Sequence, residues 1–448
     1  MTPTTRDAYD LFHRSTLMLA DMEENGICVD EDYCKKQIKS LGLRMQHFKE
    51  QTLLTSDGRE WKRRYGAKVN IDSDTQLSKM LFTVLGLKPS KFTAKGNPAV
   101  DKEALSTIKR PIIKPLLKFR QASTAQDKLI EIQRETVDGL LHPHFGLNIP
   151  RSYRGSCENP NFQNVAKRDA WIAEIVRTAI RASFGNQLGE FDGKGMEVCT
   201  AACCSRDPVL IEYVEDDTKD MHRDLAMRCF ALKKNQVSKL IRYCGKNMFV
   251  FPEFYGDYFV HCATNMWEAI KELKLELVDG TPLREHLRDQ GLGTYRKFEK
   301  NVEAAEDWFW HEKFKAFHEY REDIYKLYLK TGKVELVTGF TCHEVMSKNQ
   351  ALNRPIQGPA FHCLLWVLCE LNDLIKSKQW GTTLIAQIHD SGIADIVPEE
   401  RDTFLKASRK IVRTDLMDHW DWIITPFDIE MKIAPIDGSW WELDDYEL

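Results

Sequence analysis

A strand-rich unit interrupted by a long helical segment is the feature that most constrains the fold of this chain. Short strand-like runs begin near residue 143 and lead to NQLGEFD at residues 186–192. Residues 194–335 have a mainly helical pattern, and strand-like runs return over residues 336–448. Because a sheet must bury a face against other elements, we expect the two strand-rich stretches to form one unit around an inserted helical segment.

The N-terminal third has a different pattern. Residues 6–56 predict two helices joined by a turn at Asn25-Gly26, and the remainder to about residue 140 predicts further helices with Pro and Gly breaks. The chain has 448 residues, of which 43% are hydrophobic, so it can bury a large core distributed over two to four domains. We therefore expect an extended, all-helical unit ahead of the mixed unit.

Composition excludes several classes of protein. No apolar run approaches the ~18 residues of a membrane span, and the N-terminus lacks the basic and apolar regions of a signal peptide. The twelve cysteines lack the paired spacing of a zinc site, although Cys199 and Cys203 are four residues apart. A net charge of −4 does not by itself indicate a nucleic-acid-binding protein.

A histidine and a carboxylate interrupt two strand-forming runs, Thr382–Ile388 and Ile393–Val397. Considered alone, His389-Asp390-Ser391-Gly392 is best explained as an ordinary hairpin connection. A second carboxylate, Asp192, ends the strand-like run GEFD before the insertion. Two aspartates at strand ends of one unit can hold two Mg²⁺ ions about 4 Å apart for phosphoryl transfer, so a metal-binding interpretation competes with the structural one.

A basic stripe is the third candidate feature. Lys239, Arg242 and Lys246 are three and four residues apart, so a helix would place them along one face. Such a stripe is usually a solvated surface, but beside a metal site its cations would bind a triphosphate.

Two of these stretches resemble palm motifs of the family A DNA polymerases, the bacterial polymerase I type and its phage relatives. FDGKGMEV (191–198) is similar to the first motif, usually DYSQIELR, and QIHDSG (387–392) is similar to the third, usually VHDE. The resemblance implies that Asp192 and Asp390 are catalytic and bind two Mg²⁺ ions, or Mn²⁺ in their place. A backbone carbonyl, that of Gly193, is expected to complete the metal shells with water or substrate.

The same resemblance assigns roles to other residues near the nucleotide and the primer. It implies that Glu197 excludes a ribose 2′-hydroxyl and that His389 lies beside the primer terminus. RSYRGSCENPNFQN is similar to TGRLSSxxPNLQN, which makes Arg154 a minor-groove contact to the primer end. ALNRPIQGPA resembles AINxPIQGTA, which casts Asn353 and Gln357 as primer–template contacts.

RYCGKNMFVFPEFYG is similar to the family's fingers helix. The resemblance implies that Arg242 and Lys246 hold the triphosphate of the dNTP and that Tyr255 closes the pocket beside the templating base. The position that senses the sugar is Val250 when counted from Lys246, or Phe251 when counted back from Tyr255. We favour Phe251, because a bulge would absorb the extra residue before Tyr255.

The resemblance spans nearly the whole chain and implies an α+β right-hand polymerase fold. The expected division is a thumb-like helical region at 1–145, a first palm segment at 146–230, fingers at 231–335 and a second palm segment at 336–448. The implied function is template-directed DNA synthesis with primer–template DNA and dNTPs as partners. We expect a monomer in the cytoplasm of a bacterium or an infected host cell.

The sequence departs from the family pattern at several places. Ser391 stands where a glutamate is usual, and Asp395 would lie roughly 13 Å further along an extended strand, too far to replace it. One extra residue lies between Lys246 and Tyr255, so with Pro252 present we expect a bulged or kinked helix near Met248–Pro252. The first 150 residues lack the acidic cluster of a 3′–5′ exonuclease, so proofreading is not expected within this chain, and an exonuclease, clamp or helicase partner is not identified.

Two other functions remain open at this point. One is a single-subunit RNA polymerase of related fold, against which Glu197 argues. The other is a catalytically silent nucleic-acid-binding replication protein, against which the two aspartates and the two triphosphate cations argue.

Overall fold

The computed structural model describes residues 3–93, 95–165 and 169–447. Helices α1 to α7 are Thr5–Asn25, Glu31–Leu54, Ser56–Tyr65, Asp74–Ser78, Lys102–Ser106, Ile113–Glu135 and Ala170–Arg177. Helices α8 to α13 are Met196–Ser205, Pro208–Glu215, Met221–Phe230, Lys239–Gly245, Phe251–Phe254 and Phe259–Glu272. Helices α14 to α19 are Leu283–Asp289, Tyr295–Trp308, Lys315–Thr331, Lys348–Lys378, Arg401–Lys410 and Leu416–His419.

Shorter helical turns and the strands complete the secondary structure. The π-helical turns are Lys79–Val84, Lys246–Val250, Phe309–Lys313 and Ile411–Asp415, and the 3₁₀ turns are Gly66–Lys68, Phe162–Asn164, Lys234–Gln236 and Trp440–Glu442. Strands β1 to β6 are Ile27–Cys28, Thr136–Val137, Leu140–Leu141, His144–Gly146, Ser156–Glu158 and Gln187–Gly193. Strands β7 to β12 are Val334–Glu335, Thr341–Cys342, Thr383–Ile388, Ser391–Ile396, Ile429–Ile433 and Asp444–Asp445.

The largest sheet joins strands from the two sides of the helical insertion. Its order is β12-β11-β6-β10-β9, and all of its pairings are antiparallel. Strand β6 precedes the insertion, whereas its neighbours β10 and β11 follow it. The expected α+β fold with a split antiparallel sheet is therefore confirmed.

Apolar side chains form three clusters. The first packs α1, α2, α6 and α17 around the large sheet, and the second gathers buried side chains of residues 201–317 with Ile356. The third lies within residues 61–119. No helix in the described ranges is long and apolar enough to cross a membrane.

Two local predictions need correction. At the start of the second strand-rich stretch, VELVTGF (334–340) has a strand-like pattern but forms only the two-residue strand β7 and a turn, because Gly339 adopts φ 87° and the amide of Leu336 donates to the carbonyl of Phe340 at 2.8 Å. The connection between β9 and β10 is His389-Asp390 alone, since β10 begins at Ser391. The Ser391 hydroxyl donates to the carbonyl of Ile388 at 2.9 Å, which closes the hairpin two residues earlier than expected.

Candidate active site

Strand register brings the two candidate metal-binding aspartates together. On adjacent antiparallel strands, Asp192 of β6 is the direct partner of Ser391, the residue after Asp390. The backbone amide of Gly193 donates to the carbonyl of Asp390 at 3.0 Å. Directly paired residues have Cα atoms about 5 Å apart, so the hairpin tip places Asp390 beside the end of β6. Both aspartates are half-buried and open to a ligand.

Glycine is required where the hairpin approaches β6. A Cβ added at Gly193 would lie 2.3 Å from Cγ of Met196 and 3.3 Å from the carbonyl oxygen of Asp390. A Cβ added at Gly392 would lie 2.4 Å from the Phe191 ring. Real Cβ atoms essentially never come within 3.0 Å of another atom, so Gly392 permits the contact of β10 with Phe191 of β6, and Gly193 permits the close approach of Met196.

Two glutamines hold the hairpin tip, here defined as His389 and Asp390. Gln387 donates through Nε2 to the carbonyl of His389 at 2.6 Å, and its own Oε1 accepts from Gln163 at 2.8 Å. His389 is exposed and has φ 52°, a conformation that few non-glycine residues adopt. Sequence reasoning missed both glutamines, although Gln387 directly precedes the Ile-His-Asp motif.

Arg154 contacts Asp390, one of the two candidate metal-binding aspartates. Its Nη2 lies 3.8 Å from Oδ1 of Asp390, and both side chains are partly exposed. The contact of Arg154 with the primer end stays a prediction. A cation here offsets part of the repulsion between neighbouring carboxylates.

Glu197 and Tyr255 form a hydrogen-bonded pair next to these carboxylates. The Tyr255 hydroxyl donates to Oε2 of Glu197 at 2.5 Å, and Asn353 of α17 donates to the Tyr255 carbonyl at 3.0 Å. Burial raises the pKa of Glu197; the hydrogen bond from Tyr255 opposes the rise, and the charge of Asp390 adds to it. Burial and then the charge of Glu197 raise the pKa of Tyr255, so the phenol keeps its proton.

The predicted basic helix is α11 followed by a π-helical turn. Arg242 is exposed, and its Nε pairs with Oδ2 of Asp220 at 2.5 Å. Lys246 lies over the Phe251 ring, with Nζ 5.2 Å from the ring centroid. Lys246 is therefore held near an aromatic ring, and Arg242 is partly neutralised by a carboxylate.

His222 is a candidate site residue that sequence reasoning missed. Its ring lies 5.8 Å from that of Phe251, and its buried Nδ1 has no hydrogen-bond partner. Burial, and then the charges of Lys246 and Arg242, lower the pKa of His222 to about 4. A neutral imidazole beside two cations suits an anion-binding position, and the segment DMHRDLA was the signal in the sequence.

The bulge predicted near Met248–Pro252 is confirmed as the π-helical turn Lys246–Val250. A π-turn takes up one more residue than an α-helical turn, which accounts for the extra residue before Tyr255. Val250 is fully buried in the second apolar cluster. Phe251 is half-buried, its ring lies 6.2 Å from that of Tyr255, and the Tyr255 amide donates to its carbonyl at 3.0 Å. This arrangement favours Phe251 over Val250 as the residue that faces a nucleotide.

The remaining carboxylates and polar residues lie at defined places. Gln357 is half-buried on α17, one turn after Asn353. Asp395 lies at the far end of β10, where it accepts from the Ser183 amide at 3.3 Å and burial raises its pKa. Glu430 of β11 is exposed and directly opposite Asp192, a neighbour that only the strand register reveals.

The donor set fits a hard divalent cation. Asp192, Asp390 and the Gly193 backbone offer only oxygen atoms, which Mg²⁺ and similar ions prefer. Within the described ranges of the chain, no group of three or more His, Cys, Asp or Glu is arranged to hold a metal. Two carboxylates leave coordination positions for substrate phosphates and water.

Known proteins resemble this chain in sequence and in fold. The family model for DNA polymerase family A matches residues 32–270, more than half of the chain. DNA polymerase I of Chloroflexus aurantiacus is 24% identical over 441 residues, which cover 95% of this chain and 43% of that protein. DNA polymerase I of Bacillus subtilis is 24% identical over 431 residues, covering 95% of this chain and 44% of that protein. The DNA polymerase of Bacillus phage SP01 is 22% identical over 445 residues, covering 88% of this chain and 46% of that protein.

A solved structure shares the fold. It is the POL domain of Pol1 from M. smegmatis in complex with DNA primer–template and dNTP, with a TM-score of 0.77 and 21% sequence identity. The match covers 96% of this chain and 70% of that one. The chain spans less than half the length of the curated relatives it matches. On the family match and the fold together, this chain belongs to DNA polymerase family A.

Proposed function

We propose that this chain is a template-directed DNA polymerase that transfers a nucleotide from a dNTP to a primer 3′-hydroxyl. The observation that carries the proposal is the strand register that brings Asp390 beside Asp192, across from the hydrogen-bonded pair Glu197 and Tyr255. Enzymes of this family use divalent metal ions, and we propose two Mg²⁺ ions here, with Mn²⁺ as a substitute.

Asp192 and Asp390, with the Gly193 carbonyl, would hold the ions. When bound, the ions activate the primer 3′-hydroxyl and stabilise the negative charge on the attacked phosphate and the leaving pyrophosphate. Arg154 stays close to Asp390 and limits carboxylate repulsion before DNA arrives. The two glutamines behind the hairpin keep Asp390 fixed, and such preorganisation is the main contribution that protein makes to phosphoryl transfer.

The triphosphate would bind along the segment of residues 239–255. Arg242 and Lys246 would supply charge-assisted hydrogen bonds, and the neutral ring of His222 lies near Phe251 and close enough to both cations to feel their charges. Asp220 holds Arg242 while no nucleotide is bound, and a triphosphate competes with that carboxylate for the guanidinium. Because the triphosphate would replace the Asp220 carboxylate, Arg242 would be paired with an anion both before and after the nucleotide binds.

Sugar selection would rest on the pair Glu197 and Tyr255. Their short hydrogen bond closes the space beside the metal-binding carboxylates, where a 2′-hydroxyl would need room. Asn353 donates to the Tyr255 carbonyl and so helps to fix Tyr255, and the Phe251 ring lies next to the Tyr255 ring at a tilt of 42°. This closed pair favours a DNA polymerase over a single-subunit RNA polymerase.

The remaining proposed roles concern contacts with primer and template and the division of the chain into domains. Arg154, Asn353, Gln357 and His389 would contact primer and template, at the interface of hairpin tip and α17. We propose a helical thumb, a palm built on the large sheet and helical fingers, with the boundaries expected from the sequence. We propose that the protein acts as a monomer in the cytoplasm of a bacterium or of an infected host cell.

Extension of a labelled primer on a DNA template with Mg²⁺ tests the proposal. The wild type should extend with dNTPs and not with rNTPs, and Asp192→Asn should lose extension because a metal-binding carboxylate is removed. Asp418→Asn, an exposed aspartate on α19, is the matched control and should extend normally. Duplex binding without any extension by the wild type would instead identify a silent nucleic-acid-binding protein.

A further inference from the structure

A carboxyl group is buried inside the segment of residues 239–255, between the side chains proposed to contact the nucleotide. Glu253 has 0% of its surface exposed and lies between Phe251 and Tyr255 in sequence. Glutamate is almost never fully buried unless its carboxyl group is paired. Its burial here therefore requires specific partners.

Those partners come from three different elements. The indole Nε1 of Trp310 donates to Oε2 of Glu253 at 2.9 Å, and the Cys262 thiol donates to Oε1 at 3.4 Å. Arg321 of α16 donates from Nη1 to the Glu253 backbone carbonyl at 3.0 Å. Glu253 therefore ties its segment to α13, to the π-helical turn Phe309–Lys313 and to α16.

A second carboxyl group completes the cluster. Glu306 of α15 is hydrogen-bonded to Glu253, and its Oε1 accepts from the Phe259 amide at 2.8 Å. One of two hydrogen-bonded carboxyl groups must carry a proton, because a carboxylate has no donor. Burial raises the pKa of Glu253 to about 8, and the charge of Glu306 adds to the rise. Burial also raises the pKa of Glu306, so the pair holds a proton at neutral pH, and we place that proton on Glu253 because Glu253 is the more deeply buried of the two.

Other titratable and charged groups face this pair from the elements around it. They are Cys229 of α10, Asp257 before α13, Cys262 of α13, Glu303 of α15 and Arg321 of α16. Arg321 is the cation among them; it is 6% exposed, and its guanidinium lies 4.5 Å from the centroid of the Trp310 ring. Burial lowers its pKa to about 10, so it stays charged at neutral pH and offsets one carboxylate but not two.

We propose that Glu253 is a positioning residue for nucleotide binding, whose neutral carboxyl group fixes Phe251 and Tyr255 through its hydrogen bonds to Glu306 and Trp310. The inference rests on the proposed function, since it assigns the nucleotide to this segment. When Glu253 ionises, two carboxylates repel each other in a buried pocket and the segment loosens. Nucleotide affinity therefore falls as the pH rises through the pKa of Glu253.

The same group makes the free energy of unfolding depend on pH. Its pKa in the folded protein lies above the ordinary glutamate value of about 4.3. Its stabilising contribution is therefore fully present below that ordinary value and is lost as the pH rises through the folded-state value.

The experiment measures dATP binding to a complex of the protein with a template and a dideoxy-terminated primer, so that no chemistry follows binding. For the wild type, the apparent Kd should rise on the order of fivefold between about pH 7 and about pH 9. Glu253→Gln stays neutral, accepts from Trp310 and donates to Glu306, so it should bind at pH 7 like the wild type and lose the pH dependence. Glu319→Gln, an exposed glutamate on α16, is the matched control and should keep the wild-type profile.

Two further measurements keep the inference separate from folding and from the proposed function. Infrared spectroscopy should show a protonated carboxyl group at neutral pH that disappears on alkaline titration and is missing in Glu253→Gln. In Glu306→Gln the neighbouring charge is gone, so the midpoint of the wild-type titration should move to lower pH. Identical pH profiles for wild type and Glu253→Gln, or no protonated carboxyl group, would overturn the inference, whereas absence of dATP binding at pH 7 would overturn the proposed function.

Discussion

The hairpin tip and the segment of residues 239–255 both carry charged groups to one site, but they do so by opposite means. The hairpin relies on strand register, which sets Asp192 opposite Ser391 and leaves the carboxylates half-buried. The segment relies on an irregular helix whose π-turn takes up an extra residue and whose Glu253 is anchored in the interior. The sheet carries a register shift where β10 pairs with β9, at Ile393 and Ala394, but the pairing of β10 with β6, which sets Asp192 opposite Ser391, is regular. The helix, in contrast, takes up its extra residue between the proposed nucleotide contacts themselves.

The largest effect is expected from breaking the register. Insertion of one glycine between Gly392 and Ile393 would move Asp390 relative to Asp192 and turn the side chains of β10 to the opposite face. The rate of primer extension should fall by about 10³-fold or more, because the proposed mechanism depends on the relative positions of the two carboxylates. Single-turnover extension by the insertion variant at the wild-type rate would show that register does not set this site.

Loss of a cation from the segment should cost less than loss of register. Lys246→Ala removes one charge-assisted contact to the triphosphate, worth about 2 kcal/mol, so KM for dNTP should rise about 30-fold. Lys234→Ala, an exposed lysine before α11, is the control and should leave KM unchanged. Equal KM values in both variants would show that Lys246 belongs to a solvated basic surface and does not bind the triphosphate.

Removal of the sugar gate should act on selectivity more than on rate. Glu197→Ala opens the space that the hydrogen bond to Tyr255 closes. The preference for dNTP over rNTP, measured as a ratio of kcat/KM values, should fall about tenfold. If the ratio stays the same, the 2′-position is read by another residue.

The smallest effect is expected from removing the π-helical turn within the segment of residues 239–255. Asn247 is exposed within the π-turn, so its deletion would convert that turn to an α-helix without opening the core. KM for dNTP should change by no more than about threefold. A loss as large as that from the β10 insertion would remove the contrast between sheet and helix.

Some features of the sheet and of the helical segment could be predicted from the sequence. The adjacency of Asp192 and Asp390 was predictable, because two strand patterns with carboxylates at their ends meet in one sheet. The bulge was predictable from Pro252 and the extra residue, although the π-turn begins at Lys246, before the expected stretch. The pattern of apolar and turn-forming residues in a sequence therefore predicts where a residue lies along its own strand or helix.

The rest required the folded chain. The burial of Glu253 depends on hydrogen-bond donors that lie 9 to 68 residues away in sequence, and no local sequence pattern predicts these contacts. The contact of Arg154 with Asp390 crosses more than 200 residues, and Glu430 reaches Asp192 only through the sheet order. Polar contacts between distant elements leave no periodic signal, which explains why these features were missed.

The most direct test of the account is the effect of Asp390→Asn on chemistry and on DNA binding in the same preparation. Single-turnover incorporation of dATP with Mg²⁺ should fall about 10³-fold relative to the wild type and to Asp418→Asn. The affinity for primer–template should change by no more than about threefold, because phosphate contacts elsewhere provide most of it. Incorporation at the wild-type rate, or a loss that only parallels weaker DNA binding, would contradict a catalytic carboxylate at the hairpin tip.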